Sequence, residues 1–259
     1  MNPTSIEWCD RTWNPVTGCS KGCAYCYALR HVARFAPGAR PAMGGYVELT
    51  VPYRDQKGHT QPWPHGFEPT FHSYRLGEPA LEPKPQRIFV SSMGDLLGSW
   101  VPAEWILRVL EVVRACAWHD FLFLTKNPAR YAEFNPWPDN AWLGASATNQ
   151  AELDVALAAL AKAEAWPRFL SCEPLRGAIE LPEGAGQVVD WIIIGAQTGP
   201  GAVVPRERWV HRLTWDAVDQ GIQVFHKDNL LKSALRGQKL LRQAPGVARA
   251  RRVAGGASC

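Results

Sequence analysis

The chain has 259 residues, of which 46% are hydrophobic, and its 28 Lys and Arg against 24 Asp and Glu leave a net charge of +4. That length suits one α/β domain with a sizeable core, and the charge is too small by itself to imply a nucleic-acid partner. No apolar run reaches the ~18 residues of a membrane span, no signal-peptide pattern opens the chain, and seven unevenly spaced cysteines fit a reducing cytoplasm better than a disulfide scaffold.

In chain order, a first strand is expected around Arg11 to Val16. It leads into GCSKGCAYCYA, where Cys19, Cys23 and Cys26 are spaced C-x3-C-x2-C with Tyr25 directly before the last. Three thiolates in one short loop can hold three irons of a cubane cluster and leave the fourth iron open. The alternative is a structural zinc site, which wants four tetrahedral ligands and would have to recruit a fourth such as Cys9. A first helix follows. Residues 36–86 are then rich in Pro and Gly and contain His59, His65, His72, Trp63, Phe67, Phe71 and Tyr74. A stretch this long reads as an insertion that could cover a substrate mouth, and the three histidines match no metal-binding spacing.

From there short apolar runs alternate with helices or crossovers. RIFVSSMGD (87–95) starts as a strand, and AEWILRVLEVVRACA (103–117) repeats Trp105, Ile106, Val109, Leu110 and Val113 at helical spacing. Strands follow in FLFLTKNP (121–128) and AWLGASATNQ (141–150), then a helix in AELDVALAALAKAEA (151–165). RFLSCEP (168–174), DWIIIGAQTGPG (190–201) and IQVFHKDN (222–229) complete the series. About seven such units predict an α/β fold, a partial (β/α)6-type barrel with a parallel sheet covered by helices. No G-x-G-x-x-G follows the first strand, which weakens a dinucleotide-binding reading.

Chemistry in such barrels sits at the C-terminal strand ends. Those ends carry Ser91, Ser92 and Asp95; Thr125 and Lys126; Ser146, Thr148 and Asn149; Glu173; Gln197 and Thr198; and His226, Lys227 and Asp228. Each alone could be a cap or turn residue, and together they read as one rim. Cys172, at a strand end, and Tyr27 carry groups able to give up a hydrogen atom; packing as a small apolar residue is the plainer role for a buried cysteine. From Lys227 to Arg252 the chain also carries Lys232, Arg236, Lys239, Arg242, Arg249 and Arg251 against Asp228. That segment reads as a phosphate-contacting surface or as a solvated tail. Among the 12 tryptophans, Trp63 and Trp137 lie in proline-rich loops where they could stack bases. The expected organisation is residues 1–230 as the barrel, with 36–86 as insertion or lid, and 231–259 as a basic C-terminal segment.

The cysteine loop resembles that of the radical S-adenosylmethionine (SAM) enzymes. That resemblance implies a [4Fe-4S] cluster on Cys19, Cys23 and Cys26. Its free iron chelates the amino and carboxylate groups of SAM, and one electron cleaves SAM to methionine and a 5′-deoxyadenosyl radical. Tyr25 would pack near the adenine. Over IEW (6–8), TWNPVTGC (12–19), RIFVSSMGDLL (87–97), FLTKNPAR (123–130), WLGASATNQ (142–150), RFLSCEPL (168–175) and DWIIIGAQTGPGA (190–202), the chain resembles the phage Gp37/Gp68 family, a radical SAM-like group. Typical members have a longer gap between the first two cysteines; here the gap is the standard radical SAM one.

By this resemblance Ser92 and Asp95 stand at the methionine amino group, in place of the more familiar Gly-Gly-Glu. Ser146 and Thr148 would meet the ribose hydroxyls or the carboxylate, Glu173 SAM or substrate, and Gly195 to Gln197 the adenine edge. Lys126 would neutralise the SAM carboxylate or a substrate phosphate. The implied enzyme is an isomerase, lyase or transferase. It would take hydrogen from a nucleic-acid base or modified nucleotide, such as thymidine in phage DNA, with a flavodoxin or ferredoxin as reductant. If phage-encoded, it would work in the host cytoplasm. Alternatives are a DNA-lesion lyase resembling spore photoproduct lyase, a radical SAM enzyme for peptides or small molecules, and a non-catalytic zinc or cluster protein that binds nucleic acid.

Overall fold

Each apolar run forms a strand that ends where small and polar residues begin. The computed structural model describes residues 1–35, 47–199 and 201–246; residues 36–46 of the expected insertion, and Arg249, Arg251, Arg252 and Cys259, lie outside the described residues. The elements are β1 (Asn2–Pro3), β2 (Arg11–Trp13), β3 (Val16–Thr17), α1 (Tyr27–Phe35), β4 (Val47–Leu49), β5 (Thr70–His72), β6 (Arg87–Val90) and α2 (Ala103–Ala115). They continue with β7 (Asp120–Thr125), β8 (Ala141–Ser146), α3 (Gln150–Leu160), β9 (Arg168–Cys172), β10 (Trp191–Ile194), α4 (Glu207–Asp219) and β11 (Gln223–His226).

The main sheet runs β1-β2-β6-β7-β8-β9-β10-β11. β1 pairs with β2 antiparallel, and every later neighbour pairs parallel in chain order. The fold is therefore mixed α/β with a large, mostly parallel sheet. Two crossovers depart from the expected strand–helix rhythm: β7 to β8 passes through a 3-10 stretch at Pro128–Phe134, and β9 to β10 through a short one at Ala185–Gln187. Proline accounts for this, because Pro128, Pro136, Pro138, Pro174 and Pro182 withhold the N–H groups that a longer helix needs. The α4 helix, whose apolar stripe of Val210, Leu213 and Ala217 is buried, was not singled out by the sequence pattern; Trp209, His211, Arg212 and Trp215 blur it.

Period-two alternation sorts the strand residues onto two faces. Ile88, Val90, Phe121, Phe123, Leu143, Leu170, Ile192 and Val224 pack in the same cluster as the buried stripes of α2, α3 and α4. The other face carries Phe89, Leu122, Trp142, Phe169, Trp191, Ile193 and Phe225, which close on one another and on Trp8. Trp8 lies 4.8 Å from the Phe89 ring and 6.4 Å from that of Trp191, so those two rings are within about 11 Å of each other. Their strands are four places apart and would be about 19 Å apart on a flat sheet. The sheet thus curls around Trp8, and aromatic side chains fill its concave side. Gly144 makes room for this filling, since a Cβ there would sit 2.2 Å from the Phe169 ring.

The expected Arg11–Val16 strand divides between two sheets: β2 pairs in the main one, and β3 joins β4 and β5 of the described insertion in a second sheet, β3-β5-β4. It holds His72, 1% exposed, whose Nε2 lies 2.8 Å from the Thr17 hydroxyl. Residues 231–246 are not a loose tail. Ala234 and Leu235 join the helix-side core, and Leu241 exchanges bonds with His226, accepting from its N–H and donating to its Nδ1. With Nδ1 accepting, Nε2 carries the proton and donates to the Thr214 hydroxyl at 2.9 Å, which itself donates to the Val210 carbonyl.

Burial pushes both His72 and His226 down from 6.5 to about 4, with Arg75 and Arg242 adding to the effect respectively. Between pH 6.5 and 4 the unfolded chain takes up protons that these folded histidines refuse. Their stabilisation is therefore complete above pH 6.5 and is lost as pH falls towards 4, at about 3 kcal/mol each for the full shift. Urea unfolding of the metal-free protein should show stability falling through this window, and a His226→Gln variant should flatten that dependence. Equal slopes in both proteins would reject the assignment.

Candidate active site

The cysteine loop leaves β3 at Gly18, a residue with no room for a side chain. Its φ is +85°, and a Cβ would sit 2.2 Å from the Glu68 carbonyl. The Gly18 N–H donates to the Met93 carbonyl and the Cys19 N–H to that of Phe67, so the loop is pinned between the tip of β6 and the insertion. Cys26 immediately precedes α1. Its sulfur accepts the Leu29 N–H at 3.3 Å, as an N-cap side chain does, and the Cys19 sulfur takes the Lys21 N–H at 3.4 Å. Burial pushes the Cys19 thiol up to about 11, with the charges of Asp95 and the other two cysteines adding to it and the Lys21 N–H opposing. A bound cation would supply the charge that its deprotonation needs.

All three cysteines line a hollow of about 260 Å³ together with His65, Phe67 and Glu68 of the insertion. Among the described residues no three His, Cys, Asp or Glu side chains close around a single-ion position. A tetrahedral zinc site draws its sulfurs to 2.3 Å from one ion, whereas a cubane spaces its thiolates more widely. Three thiols on one hollow are a donor set that a cluster or a single ion could use. Cys9 is not brought to it: that thiol is in the concave aromatic layer, and burial pushes it up to about 12.

On their other side the cysteines open onto a cavity of about 480 Å³ at the C-terminal ends of the parallel strands, within the usual range for a small-molecule site. Its lining includes Tyr25, Tyr27, Ser92, Asp95, Lys126, Ser146, Glu173 and Gln197, over a floor containing Trp8, Phe89 and Ser171. Most, though not all, of the anticipated rim lines this one space. Tyr27 donates to the Ser92 carbonyl, clipping α1 to the tip of β6. Ser91, before it, takes a left-handed φ of 56°, a strained turn that aims Ser92 and Asp95 at the cavity side. Ser92 donates to Asn14 Oδ1, which also accepts the Met93 N–H.

Asp95 bonds within the protein: it accepts from the Leu97 N–H, the Thr125 hydroxyl, the Lys126 N–H and Asn127 Nδ2. It ties the tip of β6 to that of β7. Glu173 accepts from Lys227 Nζ at 2.6 Å, and burial holds its carboxyl above the usual range against the pull of that ammonium. Among the described residues Gln197 Oε1 has no hydrogen-bond partner.

Several expected residues fall elsewhere: Asn149 caps α3, His226 bonds Thr214 and Leu241, Asp228 pairs with Arg242, and Trp137 is buried in the helix-side core. Cys172 is completely buried on the helix-facing side of β9, because alternation turns Phe169 and Ser171 towards the cavity and Leu170 and Cys172 away. Burial pushes its thiol up to about 12. Thr148 does not line the cavity; its N–H donates to Glu152 at 2.7 Å and its carbonyl accepts from the Arg176 N–H, at the start of α3. Gly195 contributes clearance: a Cβ there would stand 3.1 Å from both the Glu173 and Lys227 side chains. The described insertion divides between the two spaces. Phe67 reaches the cavity, but His65, Gly66 and Glu68 back the cysteine loop, and Trp63 packs on His31 of α1.

Sequence reading did not assign Asn14, Arg30, Arg176, Asn229 and Trp8 to the site. Asn229 bonds both the N–H and the carbonyl of Ala196, and Arg176 lies 5.0 Å from the Tyr25 ring. Asn14 and Trp8 carried a local signal, through their places in the TWNPVTGC and IEW stretches.

A family described as "Protein of unknown function (DUF5131)" matches residues 3–240. No curated protein matches the chain. Among solved structures, a cysteine-to-serine mutant of spore photoproduct lyase superposes with a TM-score of 0.52 at 11% identity, covering 87% of this chain and 79% of that one. Spore photoproduct lyase complexed with dinucleoside spore photoproduct gives 0.45 at 11% identity over 78% and 58%. A double mutant with bound AdoMet and dinucleoside spore photoproduct gives 0.44 at 13% over 71% and 55%. The first of these shows a likeness of fold.

Proposed function

The chain belongs to the family described as DUF5131, and we propose that it is a radical SAM enzyme of the phage Gp37/Gp68 kind acting on a nucleic-acid base. The observation that carries this reading is the cysteine loop at the mouth of the cavity: three thiols on one hollow, backbone N–H groups on two of the sulfurs, and Tyr25 beside them. Cys19, Cys23 and Cys26 would hold a [4Fe-4S] cluster. When bound, cluster and SAM supply one chemistry, in which an electron from the cluster cleaves SAM to methionine and a 5′-deoxyadenosyl radical that takes a hydrogen atom from substrate.

The chain's own residues bind and shield. Tyr25, Ser92, Ser146 and Gln197 line the space for SAM, with the Gln197 oxygen free to accept a bond. The aromatic floor excludes water and suits a planar ring, and a base within a duplex would be flipped out to reach it. Tyr27, tied to a backbone carbonyl, remains the candidate donor for quenching a substrate radical. The lyase-like scheme with Cys172 as donor is not adopted, since that thiol faces the helices.

The curl of the sheet supports a partial (β/α)6-type barrel over residues 1–230. Residues 231–259 form its C-terminal extension, the described part of which folds back on β11. A flavodoxin or ferredoxin is the expected reductant and the cytoplasm the expected compartment; no helix among the described residues is long and apolar enough to cross a membrane.

The test is anaerobic reconstitution with iron and sulfide, followed by measurement of 5′-deoxyadenosine released from SAM under reduction, with and without thymidine-containing DNA. Release stimulated by DNA is expected. A colourless protein that leaves SAM intact would return the zinc-containing binding module as the leading reading.

A further inference from the structure

Four cations stand around the opening of the cavity without an acid to neutralise them. Lys126 and Arg30 line the cavity. The Lys126 ammonium lies 5.2 Å and the Arg176 guanidinium 5.0 Å from the centre of the Tyr25 ring, so the two charges are within about 10 Å of each other. Lys21 donates to the Lys126 carbonyl at 3.4 Å, and Arg30 to the Thr198 carbonyl at 3.2 Å. All these partners are neutral. Among the described residues none of the four forms an ion pair.

The acids that could have balanced them are engaged elsewhere. Asp95 takes its four hydrogen bonds, Glu173 pairs with Lys227, and Glu7 and Asp228 pair with Arg242. Glu68 lines the smaller hollow instead. The backbones of two of the cations are also anchored. Asp95 fixes the Lys126 backbone at 3.0 Å, and the Thr148 carbonyl fixes that of Arg176 at 2.9 Å. The positive rim therefore follows the tips of β7, β9 and β10.

We infer that this rim binds the phosphodiester backbone flanking the reacting unit, so that the substrate is an oligonucleotide and not a free nucleoside. The inference rests on the nucleic-acid reading above. It moves the polyanion contact from the C-terminal segment, of whose described cations Lys227 and Arg242 are paired, to the cavity mouth, where none of the four is. A single carboxylate such as that of SAM occupies one cation; four uncompensated cations around one opening match a ligand with several regularly spaced anions. They converge on a concave mouth with an aromatic floor, a shape that admits an extruded base with its phosphates outside.

Full-length protein, as purified, is titrated with a fluorescent single-stranded oligothymidylate over a salt series. Four contacts at about −0.7 each predict a slope of log K on log salt near −3. A Lys126→Gln/Arg176→Gln double variant should lose about half of that slope with an unchanged melting temperature, and adding Lys21→Gln and Arg30→Gln should remove most of the rest. A flat salt dependence overturns the inference, as does a slope that survives in the rim variants. It is also overturned if the slope disappears only in Arg249→Gln/Arg251→Gln/Arg252→Gln, or if polyglutamate of equal length binds as tightly. If the rim variants lose AdoMet binding and keep the oligonucleotide slope, the cations serve SAM instead. The assay needs no cluster: SAM left intact with the slope present rejects only the radical reading, and SAM cleavage without a slope rejects only this one.

Discussion

A Cys23→Ala variant will bind little iron after reconstitution and release no 5′-deoxyadenosine above background, while its melting temperature without metal stays within about 2 °C of the parent. Cys23 is the cleanest of the three positions for this test. Cys19 and Cys26 accept backbone N–H groups on their sulfurs, so replacing them also disturbs the loop and the start of α1. Cys23 contributes its carbonyl, which accepts the Cys26 N–H at 3.0 Å, and alanine keeps that bond. Iron content, visible absorption and calorimetry of the same preparation separate loss of a ligand from loss of the fold. A variant that retains iron and turnover would remove Cys23 from the cluster.

Replacing Asp95 should produce the largest loss of stability outside the aromatic layer. Its carboxylate is 6% exposed and accepts bonds of 3.1 Å from Leu97 N, 2.7 Å from the Thr125 hydroxyl, 3.0 Å from Lys126 N and 3.1 Å from Asn127 Nδ2. Alanine leaves buried donors without partners, at about 3–5 kcal/mol. Asparagine keeps the volume, yet one oxygen becomes an amide that faces donors whichever way it is turned. Asp95→Asn should therefore cost about 2 kcal/mol or more. Urea unfolding with unchanged m-values would confirm the order; two variants within 1 kcal/mol of the parent would reject it.

The same carboxylate marks where reading the chain stopped. Asp95 was legible as a polar residue at a strand tip, but its four partners come from the turn beyond it and from the tip of β7, and no local pattern announces such a network. Cys172 shows the limit most plainly. Its position at a strand end follows from the apolar run RFLSC, but which face it takes depends on which parity of β9 packs on the helices. The curled sheet assigns that parity to Leu170 and Cys172, giving Ser171 to the cavity. Thr148 was drawn into the start of α3 for a related reason: Asn149 and Glu152 cap that helix, and capping depends on where the helix begins.

The sequence by itself determined what depends on neighbours along the chain. The parallel strands of the main sheet follow from short β-rich runs, the α2 and α3 helices from their periodicity, and the cysteine loop from residues seven apart at most, whose spacing survives any packing. Tertiary structure alone decided what depends on distant segments meeting. It brought Lys21, Arg30, Lys126 and Arg176 around one opening, paired Glu173 with Lys227 across the clearance at Gly195, and folded residues 231–246 onto β11. Each of these rests on the curl and register of the sheet, which arise from summed side-chain packing over many strands, and no short window of sequence contains that sum.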